Sequence, residues 1–181
     1  MTRQIIPYLP IDVQEPKEIV DAIRARRAGT LINLDRMLLN SPNLAKGWNA
    51  FLKEVRENLS IEARYKEIGM CGVAILNHAP YEFFHHAPEF IKAGGTQVQV
   101  DEIQKLGTQA FNPNLFSAIE QDVIALTIAM TRDIDVPEDV MERLHHQLGS
   151  QQTVEIVAVV AAYNMVSRFL IATGIQPESH S

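Results

Sequence analysis

Residues 61 to 95 read IEARYKEIGMCGVAILNHAPYEFFHHAPEFIKAGG, and the way this stretch folds decides the rest. Its first half runs apolar through IGMCGVAIL with no alternation of period two, which predicts a helix opened by Ser60 and reaching His78. Ala79 and Pro80 predict a turn, and YEFFHHAPEFIKAG a second helix, stopped by Gly94 and Gly95. Helices joined by so short a turn pack antiparallel. On the first, Glu67, Cys71, Ala74 and His78 fall on one face by three- and four-residue spacing. On the second, Glu82 pairs with His86 and Tyr81 with His85, each four apart. Pro88 removes a backbone donor inside this helix and predicts a kink near Phe84.

The flanking sequence reads the same way. Pro7 and Pro10 predict an extended arm over residues 1 to 15. Pro16 and Gly29 bound a helix from about 16 to 27, and a short one covers about 30 to 40. Ser41 and Pro42 are the N-cap and first position of a helix to about 57. Thr96 with Gln99, and Ser117 with Glu120, form capping-box patterns that open helices of about 97–109 and 118–131. Pro137, Glu138 and Asp139 open another, suited to a positive helix N-terminus. Gly149 and Ser150 separate it from a last helix ending at Gly174. No strand alternation, Asn-Gly hairpin or fixed-period repeat appears. The expected architecture is an all-α multi-helix bundle. Residues 1–40 form an N-terminal arm with helices packed on the core, and residues 41–181 form one globular helical domain.

Bulk properties narrow the function classes. The 181 residues carry 16 basic and 22 acidic side chains, a net charge of −6, and no cationic stripe, so nucleic acid is not an expected partner. Cys71 is the only cysteine; one thiol makes no intramolecular disulfide, and a reducing, cytoplasmic setting is expected. The N-terminal residues lack a signal-peptide pattern. The apolar tract 154–175 is interrupted by Glu155, Asn164, Ser167 and Arg168, so it reads as a buried core helix rather than a membrane span.

The chemistry gathers on the helix pair. A carboxylate such as Glu67 inside an apolar helix is desolvated, which favours its protonated form and makes it a candidate proton carrier. The alternative is a structural ion pair with Arg64 or another arginine. His86 is the natural proton donor, because imidazole changes charge nearest neutrality. Glu82 is a candidate second carboxylate, or else a solvated residue at a helix start. Tyr81 and His85 are candidates to bind a substrate oxygen, or else packing residues. Glu82 and His86 also have a two-ligand metal spacing, with His78 and His85 nearby. No HExxH or comparable motif accompanies them, and no metal is expected. His145 and His146 sit near a helix C-terminus, where positive charge is favoured.

From about residue 42 to 175 the chain resembles the carboxymuconolactone decarboxylase and alkylhydroperoxidase D family. The resemblance rests on the Glu67 helix, on YEFFHHAPEFIKAGGT, and on VAAYNMVSRFLIATG in the last helix. In redox members a glutamate precedes a CxxC motif that a histidine follows by four positions. That pattern falls here on Glu67, Ala79, Glu82 and His86, so both cysteines are missing. Tyr81, Glu82 and His86 instead resemble the tyrosine-glutamate-tryptophan-then-histidine pattern of the decarboxylase-like branch, with Phe83 in place of tryptophan. A dithiol peroxidase needs an attacking and a resolving thiol, so that chemistry is disfavoured.

The resemblance implies a cofactor-free acid–base lyase acting on a small carboxylated lactone or aromatic-degradation intermediate. Its implied catalytic residues are His86, Glu67 and Glu82, with Tyr81, His85 and Phe83 binding substrate. It also implies a homo-oligomer, trimer or hexamer, with no membrane partner. Two other readings stay open: a redox-related member using Cys71 between subunits, and a non-catalytic paralogue that binds a small acidic ligand.

Overall fold

The computed structural model describes residues 4–178. They contain eight α-helices, a π-helical turn and a 3-10 turn, and no strand occurs among the described residues. Contacts group the chain into two units, residues 1–58 with 169–181, and residues 59–168.

The first unit holds α1 (Lys17–Arg26), α2 (Asn33–Leu38) and α3 (Pro42–Lys53), the last prolonged by the π-helical turn Glu54–Asn58. Pro42 occupies the first turn of α3, where its missing N–H has no intrahelical role. The buried faces carry Val20 and Ile23 from α1, Leu34 and Leu38 from α2, and Trp48 and Leu52 from α3. The Trp48 ring packs on that of Phe169, centroids 5.1 Å apart. Asp35 is buried and ion-paired to Arg27 at 3.2 Å, and it also accepts the Ile32 N–H at 3.1 Å. Residues 4–15 form no helix or strand, make a turn at Ile11–Asp12, and are fastened to α2. Arg36 Nε donates to the Leu9 carbonyl, the Leu9 N–H donates back to the Arg36 carbonyl, and the guanidinium lies over the Tyr8 ring.

The second unit is built around α4 (Ala63–Leu76). It packs chiefly on α5 (Pro80–Lys92) and α7 (Ala118–Arg132), and also touches α6 (Gln97–Ile103). Ile68, Met70, Cys71, Val73 and Ala74 are all buried, so α4 is a core helix with almost no solvent face. Gly69 and Gly72 let neighbouring chains approach: a methyl on Gly72 would meet Thr127 of α7 at 2.9 Å. The last helix, α8 (Glu138–Thr173), is broken at Gly149, whose φ of 70° and ψ of 173° are non-helical. Its residues to Arg168 belong to this unit. By length and composition α8 could cross a membrane, with half of its most apolar window buried.

Several expected boundaries shift. Ser60 does not cap α4. Glu62 is the N-cap residue, and the Ser60 hydroxyl instead donates to Glu155 of α8 at 3.0 Å. Helix α6 ends at Ile103 rather than near 109, where a run of turns leads to Gly107 at φ 82°. The Thr96–Gln99 box is closed in both directions, at 3.2 and 3.1 Å. At α7 the Ser117 N–H donates to Glu120 at 2.7 Å. Helix α5 is continuous through Pro88, which has no N–H to complete the usual helical ladder.

Candidate acid–base site

Helices α4 and α5 bring Glu67 and His86 into contact. Glu67 Oε2 lies 2.8 Å from His86 Nδ1. An ionised carboxylate only accepts, so Nδ1 carries the proton, and in the neutral ring the lone pair falls on Nε2. The pair is set deep: His86 is 9% exposed, and its ring stands nearly perpendicular to that of the fully buried Tyr163, centroids 4.9 Å apart. Glu67 is half-buried. Its anchor is therefore the histidine and not Arg64. The Arg64 guanidinium reaches Glu120, the Gly94 carbonyl, and Gln99 Oε1 at 3.1 Å.

Glu82 lies one turn before His86 and is buried. Cys71, one turn after Glu67, is buried as well. Burial pushes its thiol well above the ordinary thiol range, and the Glu67 and Glu82 carboxylates push it further. Both carboxylates thus bear on the same sulfur, from opposite helices. A thiol in that position stays protonated and is a poor nucleophile.

His78 does not join this cluster. Helix α4 stops at Leu76, and His78 lies beyond the C-cap with φ 55°, exposed to solvent. The expected Glu67–Cys71–Ala74–His78 face therefore ends at Ala74. A left-handed residue turns the chain out of the helix, so the next side chain leaves the three-and-four register. The Tyr81 and His85 rings meet at a 53° tilt with centroids 4.6 Å apart, and Phe84 meets His85 edge-on at 5.1 Å. Phe83 lines a cavity whose wall includes none of Glu67, Glu82 and His86. Among the described residues, no group of three His, Cys, Asp or Glu side chains is placed to hold a metal ion.

Two contributors are not among the site residues expected from the sequence. Tyr163 covers His86, and Asn164 holds the end of α4. Asn77, the C-cap residue, donates to Asn164 Oδ1 at 3.0 Å and to Ser167 Oγ at 3.2 Å. Asn164 in turn donates to Thr131 Oγ1 at 3.0 Å. The available signal was a set of polar residues spaced through the apolar tract of α8, since a buried amide or hydroxyl has to find a partner.

No protein-family model matches the chain, and no curated protein matches it. Solved structures do match, at identities that establish fold alone. An uncharacterized peroxidase-related protein from Silicibacter sp. TM1040 is 18% identical, with a TM-score of 0.79 over 99% of this chain and 96% of that one. The debrominase Bmp8, in complex with 2,3,4-tribromopyrrole, is 16% identical, with a TM-score of 0.78 over 98% and 94% of the two chains. An alkylhydroperoxidase AhpD core protein, peroxidase-related and from Ralstonia eutropha JMP134, is 14% identical, with a TM-score of 0.78 over 98% and 95%. The likeness also takes in the first 40 residues, which the sequence patterns had left outside the resemblance.

Proposed function

We propose that this protein, an alkylhydroperoxidase D-like fold without the paired cysteines, is a cofactor-free acid–base lyase of the decarboxylase type. The observation that carries the reading is the buried Glu67–His86 contact at 2.8 Å. Glu67 holds the imidazole in one tautomer and stabilises its protonated form, leaving Nε2 as the atom that gives and takes a proton. Glu82 supplies a second buried carboxyl on the turn before it.

The substrate class we propose is a small carboxylated lactone. When its C–CO₂⁻ bond breaks, the bonding pair stays on the substrate as a dienolate. For this step His86 is first protonated by solvent at Nε2; the imidazolium, steadied by Glu67, then gives that Nε2 proton to the dienolate carbon and returns to the Nδ1–H tautomer. Ala79 and Glu82 stand where a dithiol mechanism would need sulfur, and Cys71 is buried beside two carboxylates. These features favour proton transfer over thiol chemistry.

The test is carbon dioxide release from a panel of lactone carboxylic acids, comparing the natural chain with His86→Ala. Turnover of at least one acid is expected, falling by about 10²–10⁴-fold in the variant. Equal turnover in both chains would remove His86 from the mechanism, and no turnover of any acid would remove the substrate class.

A further inference from the structure

Helix α4 ends in a Schellman arrangement. The His78 N–H donates to the Ile75 carbonyl at 3.1 Å and the Ala79 N–H to the Ala74 carbonyl at 2.8 Å. The residue at the first position beyond the cap must be left-handed, and glycine takes that conformation at no steric cost. Here a histidine takes it, at φ 55°. Glycine would make the same turn with less strain, so the imidazole is what this position adds. Strained, non-glycine left-handed residues concentrate where a side chain is needed.

The imidazole stands on the wall of a cavity of about 500 Å³, within the range of small-molecule sites. The rest of the wall is apolar and includes Ala74, Ala79, Pro80, Phe83 and Phe84. Among the described residues no Asp or Glu lines it, so a cationic ligand would meet no counter-charge from them. Among the described residues, His78 is the one titratable side chain there. It offers an N–H donor in either protonation state, and a positive charge when protonated. Two phenylalanines in succession provide aromatic faces for a flat ring.

We propose that this cavity binds a small aromatic carboxylate, with its ring against Phe83 and Phe84 and its carboxylate on the His78 imidazole. The site is distinct in its residues from the Glu67–His86 pair and does not depend on the acid–base reading.

Isothermal titration of the full chain with 2-naphthoate and its neutral analogue 2-naphthamide tests it. Naphthoate binds the natural chain at least tenfold more tightly than naphthamide, because only the former makes a charge-assisted hydrogen bond. His78→Gly weakens naphthoate binding about tenfold or more and weakens naphthamide binding less, since the amide loses only a neutral hydrogen bond. Its thermal midpoint is unchanged or higher, because glycine relieves the left-handed strain. Phe83→Ala weakens both ligands, and His86→Ala changes neither. The proposal is overturned by absent naphthoate binding, by equal binding in His78→Gly, or by a lowered midpoint in that variant, which would make His78 structural. Loss of binding in His86→Ala overturns it too, by moving the ligand to the acid–base pair. Failed turnover with this binding intact counts against the acid–base reading alone.

Discussion

Glu67 on α4 and His86 on α5, 19 residues apart, meet through a single hydrogen bond of 2.8 Å between Oε2 and Nδ1. The carboxylate addresses one ring nitrogen and so assigns a task to the other. In the uncharged ring, ¹⁵N spectra are expected to place the His86 proton on Nδ1 and the lone pair on Nε2. Glu67→Gln keeps an acceptor but loses the charge that steadies the imidazolium. Turnover should fall by about 10–100-fold, a loss of roughly one to two factors of ten for one charged hydrogen bond. The double variant Glu67→Gln/His86→Ala should be no slower than His86→Ala alone, since the two residues act as one unit. Multiplying losses in the kinetics would separate their roles.

Cys71 gives a pH prediction. Burial first, and then Glu67 and Glu82, raise its folded-state pKa above the unfolded one. Above about pH 8.5 the unfolded chain releases the thiol proton while the folded chain retains it. The stability tied to this proton is therefore complete below that pH and is lost as pH rises, by up to about 1.4 kcal/mol per unit. Denaturant midpoints measured from pH 7 to 10 should fall more steeply for the natural chain than for Cys71→Ala. A thiol reagent should label Cys71 only after unfolding; rapid labelling of the native protein would contradict its burial.

Arg64 ties together the start of α4, the Gly94 carbonyl beyond α5, and Gln99 and Glu120 in α6 and α7. Arg64→Ala leaves the buried Glu120 carboxylate without its cation, which costs about 3–5 kcal/mol. Arg64→Lys should recover only part of this, because one ammonium cannot reproduce a planar fork. Urea unfolding of the two variants gives both numbers.

Two glycines of α4 should respond in opposite directions. A methyl on Gly72 would lie 2.9 Å from Thr127 Cγ2. That side chain is held by its own hydroxyl bond to the Val123 carbonyl at 2.7 Å and cannot swing aside. Gly72→Ala should lose about 1–3 kcal/mol. A methyl on Gly69 would meet Val160 at 3.4 Å, ordinary contact. Gly69→Ala should be neutral or gain up to about 1 kcal/mol from helix propensity. Thermal unfolding of the pair checks the contrast.

Local patterns carry the all-α class, the order of the helices, and the closed Thr96–Gln99 box, since periodicity, caps and breakers act within a turn or two of chain. The sequence also shows a single cysteine, Cys71, so a dithiol mechanism within one chain lacks its second thiol. What it could not decide was pairing across helices. Glu67 had Arg64 three residues away as a plausible partner, yet Arg64 turned to Glu120 and Glu67 to His86. The covering of His86 by Tyr163 depends on a contact spanning 77 positions, which leaves no local pattern. His78 was misplaced for a related reason. One positive φ after Asn77 ends the helix register, and only the finished turn shows that a histidine, not a glycine, takes the left-handed position. The HAPYEFFHH segment thus divides in the folded chain: His86 goes inward to a carboxylate, and His78 outward to the wall of an apolar cavity.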